Sequence, residues 1–166
     1  IEASKQYKSN IIIRITADCP LIMPKLLDEM IDYFNNHEID YLSNSLKETF
    51  PDGLDIEIFK ADILNQLTKI KLSSEEEEHV TLGIYRRPEL FSCGNYSSDQ
   101  NLGELRWTVD TEIDLNFIRK IYANFEGRES KFDLQEVLDF LAINPQLSNI
   151  DPGNLRNSAL NQKLGK

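Results

Sequence analysis

The stretch Ile11-Ile12-Ile13-Arg14-Ile15-Thr16-Ala17-Asp18-Cys19-Pro20 reads as a buried strand running into an abrupt break. A short, almost continuous β-branched run suits a central strand covered on both faces. Asp18 then falls just past the C-terminal end of the strand, where open α/β sheets gather their ligands. Downstream, Leu26, Leu27, Met30, Ile31 and Phe34 recur at helical spacing. Residues 24–36 are therefore predicted to form a helix, with Pro24 at a permitted early position.

The same alternation continues outward. Strands are predicted over 40–43, 54–59, 90–96 and 105–109, the second of these alternating apolar and acidic residues as Leu54-Asp55-Ile56-Glu57-Ile58-Phe59. Phe50-Pro51-Asp52-Gly53 before it is a turn signal. Helices are predicted over 61–72, from Ser73 and Ser74 to Arg87, over 111–125 and over 132–142; Ser at a helix start and acids in a first turn support the second of these. From Asn144 the composition turns to Asn, Pro, Gly and Ser and predicts an extended tail. Strands interleaved with helices give a layered α/β domain with a mainly parallel sheet. The glycines are scattered, and none forms a phosphate loop of the G-x-x-x-x-G-K or G-x-G-x-x-G kind.

Composition narrows the function. The chain has 166 residues and a net charge of −10. Without a basic face it is excluded as a nucleic-acid binder, and anionic membranes are disfavoured for the same reason. An acidic protein still accommodates an anionic nucleotide when a metal ion bridges the charges. Cys19 and Cys93 are too few for a thiolate zinc site, and free thiols point to a cytoplasmic location. No apolar run approaches the ~20 residues of a membrane span.

Two carboxylates stand out. Asp18 follows one predicted strand, and Asp110 follows another and precedes a helix. Placed together they would share a Mg²⁺ with substrate phosphates, the arrangement that ion prefers; alternatively each caps the turn after it. Asp52, Asp55 and Glu57 form a second acidic group, either solvated or lining a cleft, with Asp55 and Glu57 on one strand face. His79 and His37 each read as an ordinary surface or helix-end residue, and the run Glu75 to Glu78 as a solvated helix start.

Taken in order, these segments resemble a known family. Arg14-Ile15-Thr16-Ala17-Asp18-Cys19-Pro20-Leu21-Ile22 is similar to the strand-and-loop motif of sugar-acid (acylneuraminate-type) cytidylyltransferases. Phe50 to Phe59, Glu78-His79-Val80-Thr81, and Leu105-Arg106-Trp107-Thr108-Val109-Asp110-Thr111 with Asp114-Leu115 resemble further segments of the branch named for spore-coat polysaccharide biosynthesis, and so does the tail from Ile143 through Asn157. The resemblance implies a Rossmann-like nucleotide-diphosphosugar transferase fold with three layers and a mixed sheet. It implies transfer of CMP from CTP to a sialic-acid-like sugar acid, with pyrophosphate released. Asp18 and Asp110 map onto the family's catalytic Mg²⁺ ligands, while Asp52, Asp55, Glu57, His79 and Arg106 become candidates for substrate binding. The family opens with a loop of the pattern A-R-x-G-S-x-R-L-P-x-K, which has no counterpart here, and its third motif continues with Pro and Tyr where this chain has Leu82, Gly83 and Ile84. Residues 1–143 are accordingly expected to be the C-terminal two-thirds of such a domain, inactive alone, followed by a tail over 144–166. The family also implies a homodimer, built on the region that carries Phe59, Tyr85, Phe91 and Tyr96. A metal-dependent glycosyltransferase of related fold and a non-catalytic binding or assembly module remain as alternatives.

Overall fold

The computed structural model of the protein describes residue 6, residues 9–129 and residues 131–147. Most of the first eight residues and nearly all of the predicted tail therefore lie outside the described residues. The elements in order are β1 (Ile11–Arg14), α1 (Pro24–Asn35), β2 (Tyr41–Ser43), β3 (Glu57–Lys60), α2 (Asp62–Leu67), α3 (Ser74–Glu78), α4 (Leu82–Tyr85), β4 (Cys93–Asn95), α5 (Glu112–Asn124) and α6 (Leu134–Ile143), with a closing 3₁₀ turn at Pro145–Leu147.

The strands form one mixed sheet in the order β1-β3-β2-β4. β3 runs antiparallel to both its neighbours, whereas β2 and β4 are parallel. Three of the four strands thus share a direction, and β3 is the reversed one. Because side chains alternate across a sheet, Leu42 and Ile58 face one way and join Met30, Phe117, Ile121, Val137 and Trp107 in the larger core, contributed by α1, α5 and α6. Tyr41 and Phe59 face the other way, with Ile63, Leu67, Ile84 and Phe91 around α2 and α4. The result is the α/β architecture the sequence predicts, with helices on both faces of a mixed sheet.

Local chemistry explains the helix starts. Ser73, Thr111 and Asp133 each accept a hydrogen bond from the backbone N–H three residues on, while Glu76, Asp114 and Glu136 reach back to the cap's own N–H. These reciprocal capping boxes satisfy donors that a helix start would otherwise leave unpaired.

Five predicted elements are corrected. The run at 11–15, expected to be a central strand covered on both faces, forms β1 at the edge of the four-stranded sheet, where Ile11 and Ile13 are each 40% exposed. The helix expected from Ser73 to Arg87 breaks at residues 79–81 into α3 and α4, because Thr81 donates its hydroxyl to the Glu57 carboxylate at 2.6 Å and is buried there. The helix expected over 61–72 is confined to α2. The strand expected over 54–59 begins only at Glu57: Leu54 and Ile56 bond instead to the buried side chain of Asn44, which donates to the Leu54 carbonyl at 2.7 Å and accepts from the Ile56 N–H at 2.8 Å. The segment 105–109 is no strand of the sheet; it makes an isolated bridge between Arg106 and Asp52. Phe59 and Phe91 are buried within the chain, at 1% and 2% exposure, and so cannot centre a dimer contact.

Candidate active site

The break after β1 is pinned to two other segments. The Asp18 carbonyl accepts from the Val109 N–H at 2.9 Å. The Asp52 N–H donates to the Leu105 carbonyl at 2.8 Å, and the Trp107 N–H donates to the Asp52 carbonyl at 2.6 Å. Gly53 makes this junction possible. Its φ is +100°, and a Cβ added there would lie 2.6 Å from the Trp107 carbonyl carbon, so only glycine fits. Trp107, 1% exposed, anchors the junction in the larger core.

Asp18 and Asp110 therefore arrive on the same edge of the molecule, past the end of β1, although a long stretch of chain separates them. Asp110 ends an extended segment rather than a sheet strand. Its side chain is half exposed, and its hydrogen bonds, from Arg106 and from the Thr108 hydroxyl, fall on Oδ2. Asp18 is half-buried, with the Cys19 thiol 3.7 Å from its Oδ1. Cys19 itself is buried, and burial pushes its thiol up to about 12, so it stays neutral and packs as an apolar residue. Asp55 lies close enough for its charge and its backbone to act on the same thiol.

Asp114 holds this corner in place. Its carboxylate is 3% exposed and accepts from both Arg106 nitrogens, at 2.8 and 3.3 Å, from the Asp110 and Thr111 N–H groups, at 3.0 and 2.8 Å, and from the Thr111 hydroxyl. Burial alone would raise its pKa, but Arg106 and these backbone donors outweigh that and hold it at about 2. Arg106, expected among the substrate-binding residues, is committed to Asp110 and Asp114. Its guanidinium orients the turn that presents Asp110.

Glu57 is the centre of a separate buried network. Oε1 accepts from the Tyr41 hydroxyl at 2.5 Å and the Thr81 hydroxyl at 2.6 Å, and Oε2 accepts from Arg14. The Tyr41 hydroxyl is shifted upward, first by burial and then by the Glu57 charge. Asp55 lies beside Cys19 and precedes β3, which begins at Glu57, so the two do not share a face of one strand as expected. His79 occupies the C-cap of α3, and Thr81, two residues on, is the residue that reaches Glu57. Sequence reasoning passed over Arg14, Tyr41, Thr81 and Asp114. Of these only Asp114 carried a local signal, its capping-box distance from Thr111.

Among the described residues no group of three or more His, Cys, Asp or Glu side chains is arranged to hold a metal ion. Mg²⁺ asks less of a protein, taking one or two carboxylates and completing its shell with phosphate oxygens and water. Asp18 and Asp110, hard oxygen donors brought to one edge, fit that donor set.

Comparison with known proteins matches residues 1–138 to the family model described as Cytidylyltransferase. The chain belongs to the cytidylyltransferase family. It resembles a cytidylyltransferase of solved structure from Leptospira borgpetersenii, with a TM-score of 0.82 at 32% identity, over 90% of this chain and 63% of that one. An uncharacterized protein of Methanocaldococcus jannaschii is 32% identical over 151 residues, covering 90% of this chain and 60% of that protein. The spore coat polysaccharide biosynthesis protein SpsF of Bacillus subtilis is 28% identical over 150 residues, covering 87% of this chain and 60% of its own length. This cytidylyltransferase-family chain thus spans about 60% of the length of the curated relatives it matches. Among its described residues no helix is long and apolar enough to cross a membrane.

Proposed function

We propose that the protein transfers CMP from CTP to a sialic-acid-like sugar acid, releasing pyrophosphate, in the synthesis of a surface polysaccharide. The observation that carries this reading is the Asp18–Val109 backbone bond, which joins the break after β1 to the residue before Asp110 and so supports the pairing of carboxylates that the family resemblance implies. Support also comes from the family match and from the similarity to a relative named for spore coat polysaccharide biosynthesis.

In this reading a sugar hydroxyl attacks the α-phosphorus of CTP; the new P–O bond forms as the α–β phosphoanhydride bond breaks. Asp18 and Asp110 would hold the metal, with Arg106 and Asp114 keeping Asp110 in place. When bound, Mg²⁺ supplies positive charge that offsets the phosphates. Asp52, Asp55, Glu57 and His79 belong to the acceptor side.

Residues 1–166 alone are expected to give no CMP transfer, since no phosphate-gripping loop occurs in them to orient CTP. The full-length protein, assayed for pyrophosphate release with CTP and N-acetylneuraminate, is expected to be active and to lose roughly 10²-fold or more in kcat with Asp110→Asn, the scale of a lost transition-state contact. Full activity in the Asp110→Asn enzyme, or no CMP transfer by the full-length protein, refutes the assignment; robust turnover by residues 1–166 refutes only the expected inactivity of that segment. Identifying CMP-sugar as the product separates it from a glycosyltransferase. A homodimer is part of the same proposal, and light scattering that finds only monomer across a wide concentration range removes it.

A further inference from the structure

Arg14 is the last residue of β1, and only Ile15, Thr16 and Ala17 separate it from Asp18. Its neighbours in the ladder place it across from Glu57, the first residue of β3. Because β3 is the reversed strand, its beginning lies at the same sheet edge as the end of β1. The guanidinium thus stands at the end of the sheet from which the chain runs on to Asp18, on the face that carries Tyr41 and Phe59.

Its surroundings are those of a positioned cation. Glu57 is 7% exposed and fully engaged, one oxygen taken by Tyr41 and Thr81 and the other by Arg14. The Arg14 side chain keeps 34% of its surface exposed and donates to Glu57. A guanidinium offers a planar fork of several N–H donors, so donors remain available toward solvent. Tyr85 is half-buried beside this pair and close enough to feel both charges. Arg106 is already engaged: it makes three hydrogen bonds to Asp110 and Asp114.

An acidic sugar brought to a chain of net charge −10 needs a local cation to receive its carboxylate. We propose that Arg14, held by the buried Glu57, binds the carboxylate of the sugar-acid acceptor. This rests on the CMP-transfer reading above and extends it to an acceptor-binding residue. Glu57 is a positioning residue: anchored by Tyr41 and Thr81, it fixes the direction of the fork. A buried carboxylate retained at a sheet edge is a poor source of stability, which suits a positioning role better than a packing one.

The test uses the full-length protein, CTP, N-acetylneuraminate and its methyl ester, with pyrophosphate release as readout. The wild-type protein is expected to show a KM for the ester on the order of 30-fold above that for the acid, the scale of a lost charge-assisted pair. Arg14→Gln is expected to raise the KM for the acid by a similar factor and bring the acid-to-ester ratio close to unity, with the KM for CTP unchanged. Arg14→Lys keeps a charge beside Glu57, so it guards against a folding failure, and is expected to fall between the two. Glu57→Gln is expected to raise the KM for the acid several-fold while some preference for the acid survives. If Arg14→Lys and any folded Arg14→Gln keep the wild-type KM and acid-to-ester ratio, Arg14 is structural and the inference is overturned. Absence of CMP transfer to any sugar acid by the wild-type protein overturns the proposed function, and this inference with it. Transfer that is strong yet indifferent to esterification overturns the inference alone.

Discussion

Asp114→Asn tests the corner that presents Asp110. The substitution keeps the side-chain volume but removes the charge and places an amide donor against Arg106. The wild-type carboxylate is 3% exposed and accepts from Arg106, two backbone N–H groups and a hydroxyl. Burial opposes its charge, yet Arg106 and those donors bring it from the ordinary 3.8 to about 2. At about 1.4 kcal/mol for each pH unit, that difference corresponds to about 2 kcal/mol of stability near neutral pH. Leaving Arg106 with only the half-exposed Asp110 adds to it, for an expected loss of about 3 kcal/mol. The sign follows from the lowered folded-state value. The contribution is complete above the ordinary carboxyl range and fades as pH falls through about 2. Urea unfolding curves collected between pH 7 and pH 2 should therefore show the gap between wild-type and variant shrinking toward the acid end. A variant within about 1 kcal/mol of wild-type at pH 7, or a gap constant with pH, refutes the argument that this carboxylate and Arg106 secure the corner.

Asn44→Ala removes the side chain that serves the Leu54 carbonyl and the Ile56 N–H in the core; two orphaned backbone groups should lower stability by about 2–4 kcal/mol in denaturant titrations. Gly53→Ala forces a methyl group into the Trp107 backbone at a φ of +100°, and thermal melts should show a loss of about 3 kcal/mol or more, or no folded state at all. Cys19, buried and pushed up to about 12, should resist Ellman's reagent at pH 8 in the native protein, while the half-buried Cys93 reacts first; equal rates for the two thiols would contradict the burial described above.

Much of the architecture was readable from local pattern. The β-branched run at Ile11–Arg14, the apolar stripe of α1 and the capping pairs at Thr111–Asp114 and Asp133–Glu136 involve residues a few positions apart, so their physics is written in short windows of sequence. The same holds for the ordered motifs that pointed to a cytidylyltransferase. Long-range contacts decided the rest. The break between α3 and α4 follows from Thr81 meeting Glu57 across the fold, the late start of β3 from Asn44 standing in for a strand partner, and the detachment of 105–109 from the sheet from its docking on the Asp52–Gly53 turn. Arg106 looked available for substrate until folding set it between Asp110 and Asp114, and Arg14 looked like one polar interruption in an apolar strand until Glu57 came to lie opposite it. Which hydrogen bonds a polar side chain makes depends on what the chain brings beside it, and only the folded arrangement supplies those neighbours.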